Sequence, residues 1–218
     1  MTKESSRMHR TLFALLALAL GLPLAAPSSA AGATSAESAR PKHQSSSAAR
    51  AGLNGVTLLR LHVGITTPTG NFSDSFDTGL GLGASVAYGV SRTVLLSFGA
   101  AYHNFNGDGF DGDATIVPLT MNVEGILPSS SNVHPWISGG FGFYNIDVES
   151  NAIFVPPAPG ATSVSETNTG ISLGAGIGSR SGDHDVWGVG FRYHHIFEGD
   201  EFNDLDFITF QAAYGFFL

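Results

Sequence analysis

The residues of this sequence that could carry chemistry are its histidines and its acidic residues. The sequence contains no cysteine. The lack of cysteine excludes disulfide scaffolds, thiolate metal sites, cysteine nucleophiles and lipid attachment to a cysteine. Eight histidines remain as bases or metal ligands, and His194 and His195 are adjacent. Neighbours on a strand point to opposite faces, so this pair does not form a metal site if the segment is a strand.

Acidic residues concentrate in four segments without lysine or arginine: 67–78, 104–113, 146–168 and 197–206. They indicate solvated acidic loops, and divalent cations bound at these loops are the alternative. The net charge of −8 argues against a nucleic-acid partner. The acidic residues are Asp74, Asp77, Asp108, Asp111, Asp113, Asp147, Glu149, Glu166, Glu198, Asp200, Glu201, Asp204 and Asp206.

One of these segments resembles the opening of a calcium-binding loop. Asn104, Asn106 and Asp108 offer oxygen ligands at alternate positions, and glycine follows. The twelfth position of such a loop would be Thr115 instead of a bidentate glutamate, and no helices are predicted on either side. The segment is therefore interpreted as a glycine-rich loop, with a calcium site as the weak alternative and no metal site expected.

The elements that position these residues are predicted to be strands. Hydrophobic residues make up 43% of the chain, which excludes disorder throughout, and 28 glycines disfavour a helical bundle. Large apolar residues alternate with glycine, small or polar residues, which is the period of a strand with two different faces. Pro118 is the weak point of the fourth strand. The predicted strands are 59–66, 79–88, 94–103, 115–124, 136–144, 171–178, 187–194 and 208–216.

The contrast between the two faces predicts a membrane-spanning barrel. Nearly all large apolar side chains lie on one face, whereas a water-soluble ligand-binding barrel would turn that face inward. Strands of about ten residues, tilted by about 40°, match an apolar band about 25 Å tall. Long and short connections alternate along the chain. The fold class predicted is all-β: an eight-stranded antiparallel up-and-down transmembrane β-barrel with long outer loops and short inner turns.

Charged residues on the predicted inner face form a candidate network. Glu124 lies on that face, and a buried carboxylate requires a cationic partner. We expect Glu124 to pair with Arg60 or Arg180, with Arg192 and the histidines His62 and His194 nearby. The favoured interpretation is a structural ion-pair network; a narrow pathway for water or ions and acid–base catalysis are the alternatives.

The N-terminal region is predicted to direct export. A basic start with Lys3, Arg7 and Arg10 precedes an apolar run over residues 12–26 and the small residues Ser28-Ser29-Ala30. This is the pattern of a secretory signal peptide over residues 1–30. Residues 31–53 are rich in alanine and serine and are interpreted as a flexible low-complexity leader. The barrel domain is predicted over residues 54–218.

Three segments of the predicted barrel are distinctive: LHVGITTPTG at 61–70, PWISGGFG at 135–142 and RYHHIF at 192–197. Through them, the chain over residues 54–218 resembles the small OmpA/OmpX-type outer-membrane β-barrels of Gram-negative bacteria. The resemblance is also carried by the C-terminus, where the family's insertion signal corresponds to Gln211, Ala213, Tyr214, Phe216 and Leu218. Ala213 stands where the family has glycine, and Leu218 where it has an aromatic residue.

The resemblance implies an integral outer-membrane protein, exported by its signal peptide, with short periplasmic turns. We expect a non-enzymatic role, structural or surface-binding, of the adhesion or resistance type. The acidic extracellular loops would perform it. A narrow small-solute or ion channel is the alternative, and a lipid A-modifying enzyme the third. The family's deacylases carry His-x-Ser on a lipid-facing strand, and no histidine within 54–218 has serine two residues later.

The resemblance also implies the partners of the protein. They are outer-membrane lipid and lipopolysaccharide, the barrel-assembly machinery, and divalent cations at the acidic loops. No cofactor is expected, and the chain is expected to be a monomer.

Overall fold

The structure is a computed structural model that describes residues 52–109, 112–150, 162–182, 184–200 and 202–218. Eight antiparallel strands form a closed barrel in chain order, because β8 pairs with β1. The predicted fold class is confirmed. The predicted signal peptide and nearly all of the predicted leader, residues 1–51, lie outside the described residues. The strands are β1 (Thr57–Thr69), β2 (Gly79–Gly89), β3 (Val94–Asn106), β4 (Gly112–Ile126), β5 (Val133–Ser150), β6 (Thr162–Ser181), β7 (Asp185–Ile196) and β8 (Leu205–Phe217).

A short 3-10 helix, Gly70–Asp74, follows β1 and places Phe72 over the outer end of the lumen. In the described ranges, no helix has the length and apolar character needed to cross a membrane.

The outer surface of the barrel is apolar along its strands. Leu82 is 59% exposed, Phe98 48% and Phe141 56%, although each is a large apolar side chain. Residues on the other face of the same strands, such as Ser97 and Ser138, point inward and are buried. The predicted assignment of inner and outer faces is therefore correct, and lipid is the environment that this apolar surface requires.

Aromatic side chains lie at two levels of this outer surface. Tyr88 and Tyr214 are half exposed near the inner ends of β2 and β8, and Tyr102 and Phe143 are exposed in the outer halves of β3 and β5. Two such levels are typical of the aromatic girdles at the two membrane interfaces.

The connections differ from the prediction at the outer end. Residues 104–113 were expected to form a long loop, but Asn104 and Asn106 continue β3 and pair with Thr115 and Asp113 of β4. That connection shrinks to residues 107–111, no longer than the inner turn at 127–132. The predicted connection at 146–168 also shortens, because β5 and β6 pair as far as Ser150 and Thr162. The ladder of β4, β5 and β6 thus continues beyond the outer end of β7.

Pro118 interrupts one ladder, as its missing N–H predicts. The pairing of β3 with β4 runs from Val94 to Ala100, stops opposite Pro118, and resumes at His103. On its other side β4 stays paired with β5, where Pro118 lies opposite Tyr144. The break is therefore confined to one side of one strand.

The inner face of β6 and β7 is glycine-rich because Trp136 of β5 lies against it. A Cβ atom added at Gly176 or at Gly190 would lie 2.6 Å from Trp136 Cζ2. That separation is much shorter than a normal carbon–carbon contact, so neither position accepts a side chain without displacing the indole. The lumen here is a packed interior and not an open pore.

Apolar clusters close both ends of the lumen. The outer cluster consists of buried residues from five strands and the 3-10 helix, and Phe105, Ile116, Tyr144, Ile196 and Phe207 in it are fully buried. The inner cluster contains Leu58, Ala87 and Leu95, with Phe217 packed against them. The polar residues of the lumen lie between these two clusters.

Replacing Phe98 with arginine tests which face meets lipid. Phe98→Arg is expected to lower the free energy of unfolding by about 2–4 kcal/mol, because a cation near the bilayer midplane is poorly solvated. Phe98→Leu is the control and should change it little, since lipid does not require a specific side-chain shape. Urea unfolding in lipid vesicles measures both. Equal damage from both variants would mean that Phe98 packs against protein instead of lipid.

Candidate functional site

Arg60 and Glu124 form an ion pair across the lumen. Arg60 Nη1 donates to Glu124 Oε2 at 2.7 Å, and Nη2 lies 2.5 Å from Oε1. Ser97 donates a further hydrogen bond to Oε1 at 2.9 Å. The Glu124 side chain is 2% exposed. The two-pronged geometry compensates a carboxylate that burial would otherwise make strongly unfavourable.

The barrel register brings these residues together. Arg60 lies on β1 and Glu124 on β4, which are not neighbours in the barrel, so the pair spans the interior. Leu95 is the residue opposite Glu124 on β3, and Ser97 follows on the same face. Gly215 of β8 leaves room for the arginine, because a Cβ atom there would lie 2.7 Å from Arg60 Cγ.

Arg192 occupies a second polar cluster in the lumen. Its Nη1 donates to Asn122 Oδ1 at 2.7 Å, and Ser172 donates to the same oxygen at 2.8 Å. Asn122 in turn donates to Thr120 Oγ1 at 3.1 Å. Asn122 therefore links β4 to β6 and β7 through one amide group.

Arg180 does not belong to this network, which corrects the expectation that it could pair with Glu124. It lies at the inner end of β6, where its guanidinium carbon is 4.8 Å from the centre of the Phe217 ring. The side chain is exposed at the inner mouth of the barrel. Glu124 lies deeper and already binds Arg60 with both oxygens.

Three histidines line the lumen, and each is hydrogen-bonded to a hydroxyl group. His62 lies 3.3 Å from Ser85 Oγ, and His103 Nδ1 lies 3.0 Å from Thr66 Oγ1. His194 Nδ1 lies 3.0 Å from the Tyr144 hydroxyl. The His194 ring also stacks on Phe207, with a centroid separation of 4.4 Å. Each of these histidine rings therefore has a hydrogen-bond partner, as buried polar groups in proteins usually do. The three rings lie beneath the outer apolar cluster.

His195 lies on the outer surface of the barrel, opposite in direction to His194. Its Nδ1 is 2.8 Å from Asp206 Oδ1, and Tyr193 donates to the same oxygen at 2.6 Å. This Tyr–Asp–His cluster sits near the outer ends of β7 and β8. No serine or threonine hydroxyl is hydrogen-bonded to His195 in the described ranges, so the cluster lacks the nucleophile of a hydrolytic triad.

The calcium candidate falls on strand residues. Asn104 and Asn106 belong to β3, and Asp108 lies just beyond the strand, where its N–H donates to Ser75 O. A strand ladder does not wrap oxygen atoms around one ion as a calcium loop does. Among the residues that the structure describes, no group of three or more His, Cys, Asp or Glu could hold a metal ion.

The residues of the predicted insertion signal lie on both faces of β8. Gln211 and Ala213 point into the lumen, and Tyr214 and Phe216 lie on the outer surface. The N–H of Leu218 donates to Thr57 O at 2.9 Å, which fastens the C-terminus to the first strand. These residues therefore also close the barrel.

A closed antiparallel barrel with an apolar outside and a filled polar inside defines the class of outer-membrane β-barrels. The chain belongs to the family described as outer membrane protein beta-barrel domain, whose model matches residues 14–216. This membership indicates the outer membrane as the location. No curated protein sequence matches the chain.

Solved structures of small outer-membrane proteins share this fold. Neisserial surface protein A is 12% identical, with a TM-score of 0.54, covering 73% of this chain and 96% of its own. OprG of Pseudomonas aeruginosa is 13% identical, with a TM-score of 0.52 and coverages of 77% and 97%. Ail, the attachment invasion locus protein of Yersinia pestis, is 13% identical, with a TM-score of 0.51 and coverages of 76% and 99%. At these identities the likeness concerns the fold alone.

Replacing Glu124 with glutamine tests the importance of the ion pair. Glu124→Gln is expected to lower the free energy of unfolding by up to about 3–5 kcal/mol, because it leaves the largely buried Arg60 without a carboxylate. Urea unfolding of the folded barrel in detergent measures the change.

The matched control is the same substitution on the surface. Glu149→Gln removes an exposed carboxylate of β5 and should change the free energy of unfolding by less than about 0.5 kcal/mol. If Glu124→Gln were as harmless as Glu149→Gln, the pair would have no structural role.

Proposed function

We propose that the chain is a non-enzymatic surface-binding protein of the outer membrane, whose ligand is an extended, basic polypeptide segment. The segment adds as a strand to the outer part of β6. The observation that carries this proposal is the backbone edge at residues 163–167, called the open edge below.

The open edge arises because β6 extends further outward than β7. Pairing between them ends at Gly170 and Ile196, but β6 remains paired with β5 as far as Thr162. In the described part of the chain no strand pairs with β6 on this side beyond Gly170. Unpaired strand edges are the template on which extended peptides dock.

The direction of the free backbone groups follows from one hydrogen bond. Phe197 N–H donates to Thr169 O at 2.9 Å, so Thr169 points its backbone groups toward β7. Backbone groups alternate in direction along an antiparallel strand. Ser163, Ser165 and Thr167 therefore direct N–H and C=O toward the open edge, and the residues between them bond to β5.

Charge favours a basic ligand. Asp147 and Glu149 lie on β5 directly opposite Ser165 and Ser163, on the same face of the ladder. The neighbouring loop contributes Asp200, whose N–H binds the carboxylate of Glu166 at 2.6 Å. The long side chains of lysine or arginine on an added strand would reach these acidic groups.

The filled lumen supports binding at the surface over conduction through the barrel. Phe105, Phe207 and Ile116 are fully buried in the outer cluster, and Trp136 fills the lumen beside the glycines of β6 and β7. A conducting path would need these side chains to move together. The missing nucleophile beside His195 likewise supports a non-enzymatic role.

Proline at position 165 tests the proposal. Ser165→Pro removes one edge-facing N–H without removing a β5 hydrogen bond, and Ser165→Ala keeps that N–H. The probe is a fluorescent ten-residue peptide of alternating lysine and valine, measured by fluorescence anisotropy with the purified barrel in detergent. We expect Ser165→Pro to bind it about tenfold more weakly than Ser165→Ala and the wild type. Urea midpoints should be equal for all three proteins.

A glutamate–valine peptide of the same length is the control for charge and should bind more weakly than the lysine–valine peptide. Equal binding of the lysine–valine peptide by Ser165→Pro and Ser165→Ala would contradict docking at the open edge. Steady single-channel currents in planar bilayers would support the channel alternative instead.

A further inference from the structure

A cavity of about 50 Å³ lies in the lumen between the two apolar clusters. This is enough room for one or two water molecules or a small ion. The polar side chains around it are donors or groups that can act as donors: arginine, histidine, serine, threonine, asparagine and glutamine. No carboxylate is among them. The polar residues lining the cavity are Arg60, His62, Ser85, Ser97, His103, Thr120, Asn122, Arg192, His194, Thr209 and Gln211.

The charges around the cavity do not balance. Arg60 and Arg192 both line it, and Glu124 is the one carboxylate that the described strands direct into the lumen between the clusters. Both Glu124 oxygens are bound to Arg60. The hydrogen bond from Arg192 goes to the neutral amide of Asn122. With neutral histidines, the interior therefore carries one uncompensated positive charge.

One donor beside the cavity is also unsatisfied. Arg60 Nε is buried and has no hydrogen-bond partner in the described residues. A buried donor without a partner is rare in native proteins, and a bound ion or water is a common explanation. The unpaired donor and the excess positive charge both favour an anion in the cavity.

We propose that the cavity binds a small monovalent inorganic anion of the chloride class. The anion sits against the Arg192 guanidinium and accepts further hydrogen bonds from the polar groups around it. The anion supplies the negative charge that the lumen lacks. It compensates the charge of Arg192, just as Glu124 compensates the charge of Arg60. Because apolar clusters lie above and below the cavity, the anion is a bound structural component and not an ion in transit.

Bromide is the probe, because it replaces chloride and scatters X-rays anomalously. Crystals of the barrel grown in sodium bromide should show an anomalous peak within hydrogen-bonding distance of Arg192. In solution, the melting temperature should rise by about 3–6 °C for each tenfold increase in bromide above its dissociation constant. Sodium gluconate keeps the ionic strength constant, and gluconate is too large for the cavity.

Gln211→Glu gives the sharper test. It places a carboxylate at the cavity wall with almost no change in shape, and should replace the anion. The variant should lose the bromide peak, melt in gluconate at or above the wild-type temperature, and not respond to bromide. Gln211→Met is the control: it keeps the excess positive charge and should keep the response.

Three results would overturn the proposal. The first is an ordered water in place of the anomalous peak. The second is a wild-type melting temperature that is the same in bromide and gluconate. The third is a Gln211→Glu variant that melts below the wild type in gluconate, because a negative charge at the cavity would then destabilise the barrel.

Discussion

The hydrogen bonds between β1 and β8 are the interaction on which the rest of the structure depends. Within hydrocarbon there is no water to satisfy free N–H and C=O groups, and each unsatisfied group costs several kcal/mol. The two strands pair from Leu58 with Phe217 to Thr69 with Asp206, so no edge faces lipid within the barrel. Closure also fixes the register, and the register decides which side chains share the lumen. The Arg60–Glu124 pair and the packing of Trp136 against glycine both follow from it.

Closure is required only in the membrane, and the outer part of the protein departs from it. Above the level of Gly170, β6 continues without β7, and water can satisfy its free backbone groups. The same strand is thus fully paired in lipid and open on one side outside it. The filled lumen and the binding edge that we propose thus belong to different parts of the barrel. The filled interior makes the membrane-spanning part rigid, and the exposed ladder outside the membrane provides the contact surface.

Most of the fold could be predicted from the sequence, because period-two alternation between large apolar and small residues is strong wherever one face meets lipid. The prediction failed where that contrast ends. Residues 145–150 reverse the contrast, with polar residues outward and Ile146 and Val148 inward, and residues 163–169 are mostly polar on both faces. Neither segment shows the large apolar outer face by which the other strands were predicted. The partner of Glu124 stayed ambiguous between Arg60 and Arg180, because residues 64 positions apart meet only through the register of a closed barrel. The contacts of His195 with Asp206 and of His194 with Tyr144 were missed for the same reason.

Amide hydrogen exchange of the barrel in lipid bilayers, resolved by NMR, tests closure and the open edge together. Amides of β1 that bond to β8 should exchange as slowly as those between β4 and β5. Amides of Ser163, Ser165 and Thr167 should exchange rapidly, while those of Val164 and Glu166, which bond to β5, should be slower. Fast exchange along β1 and β8, or uniform protection across residues 163–167, would contradict this account.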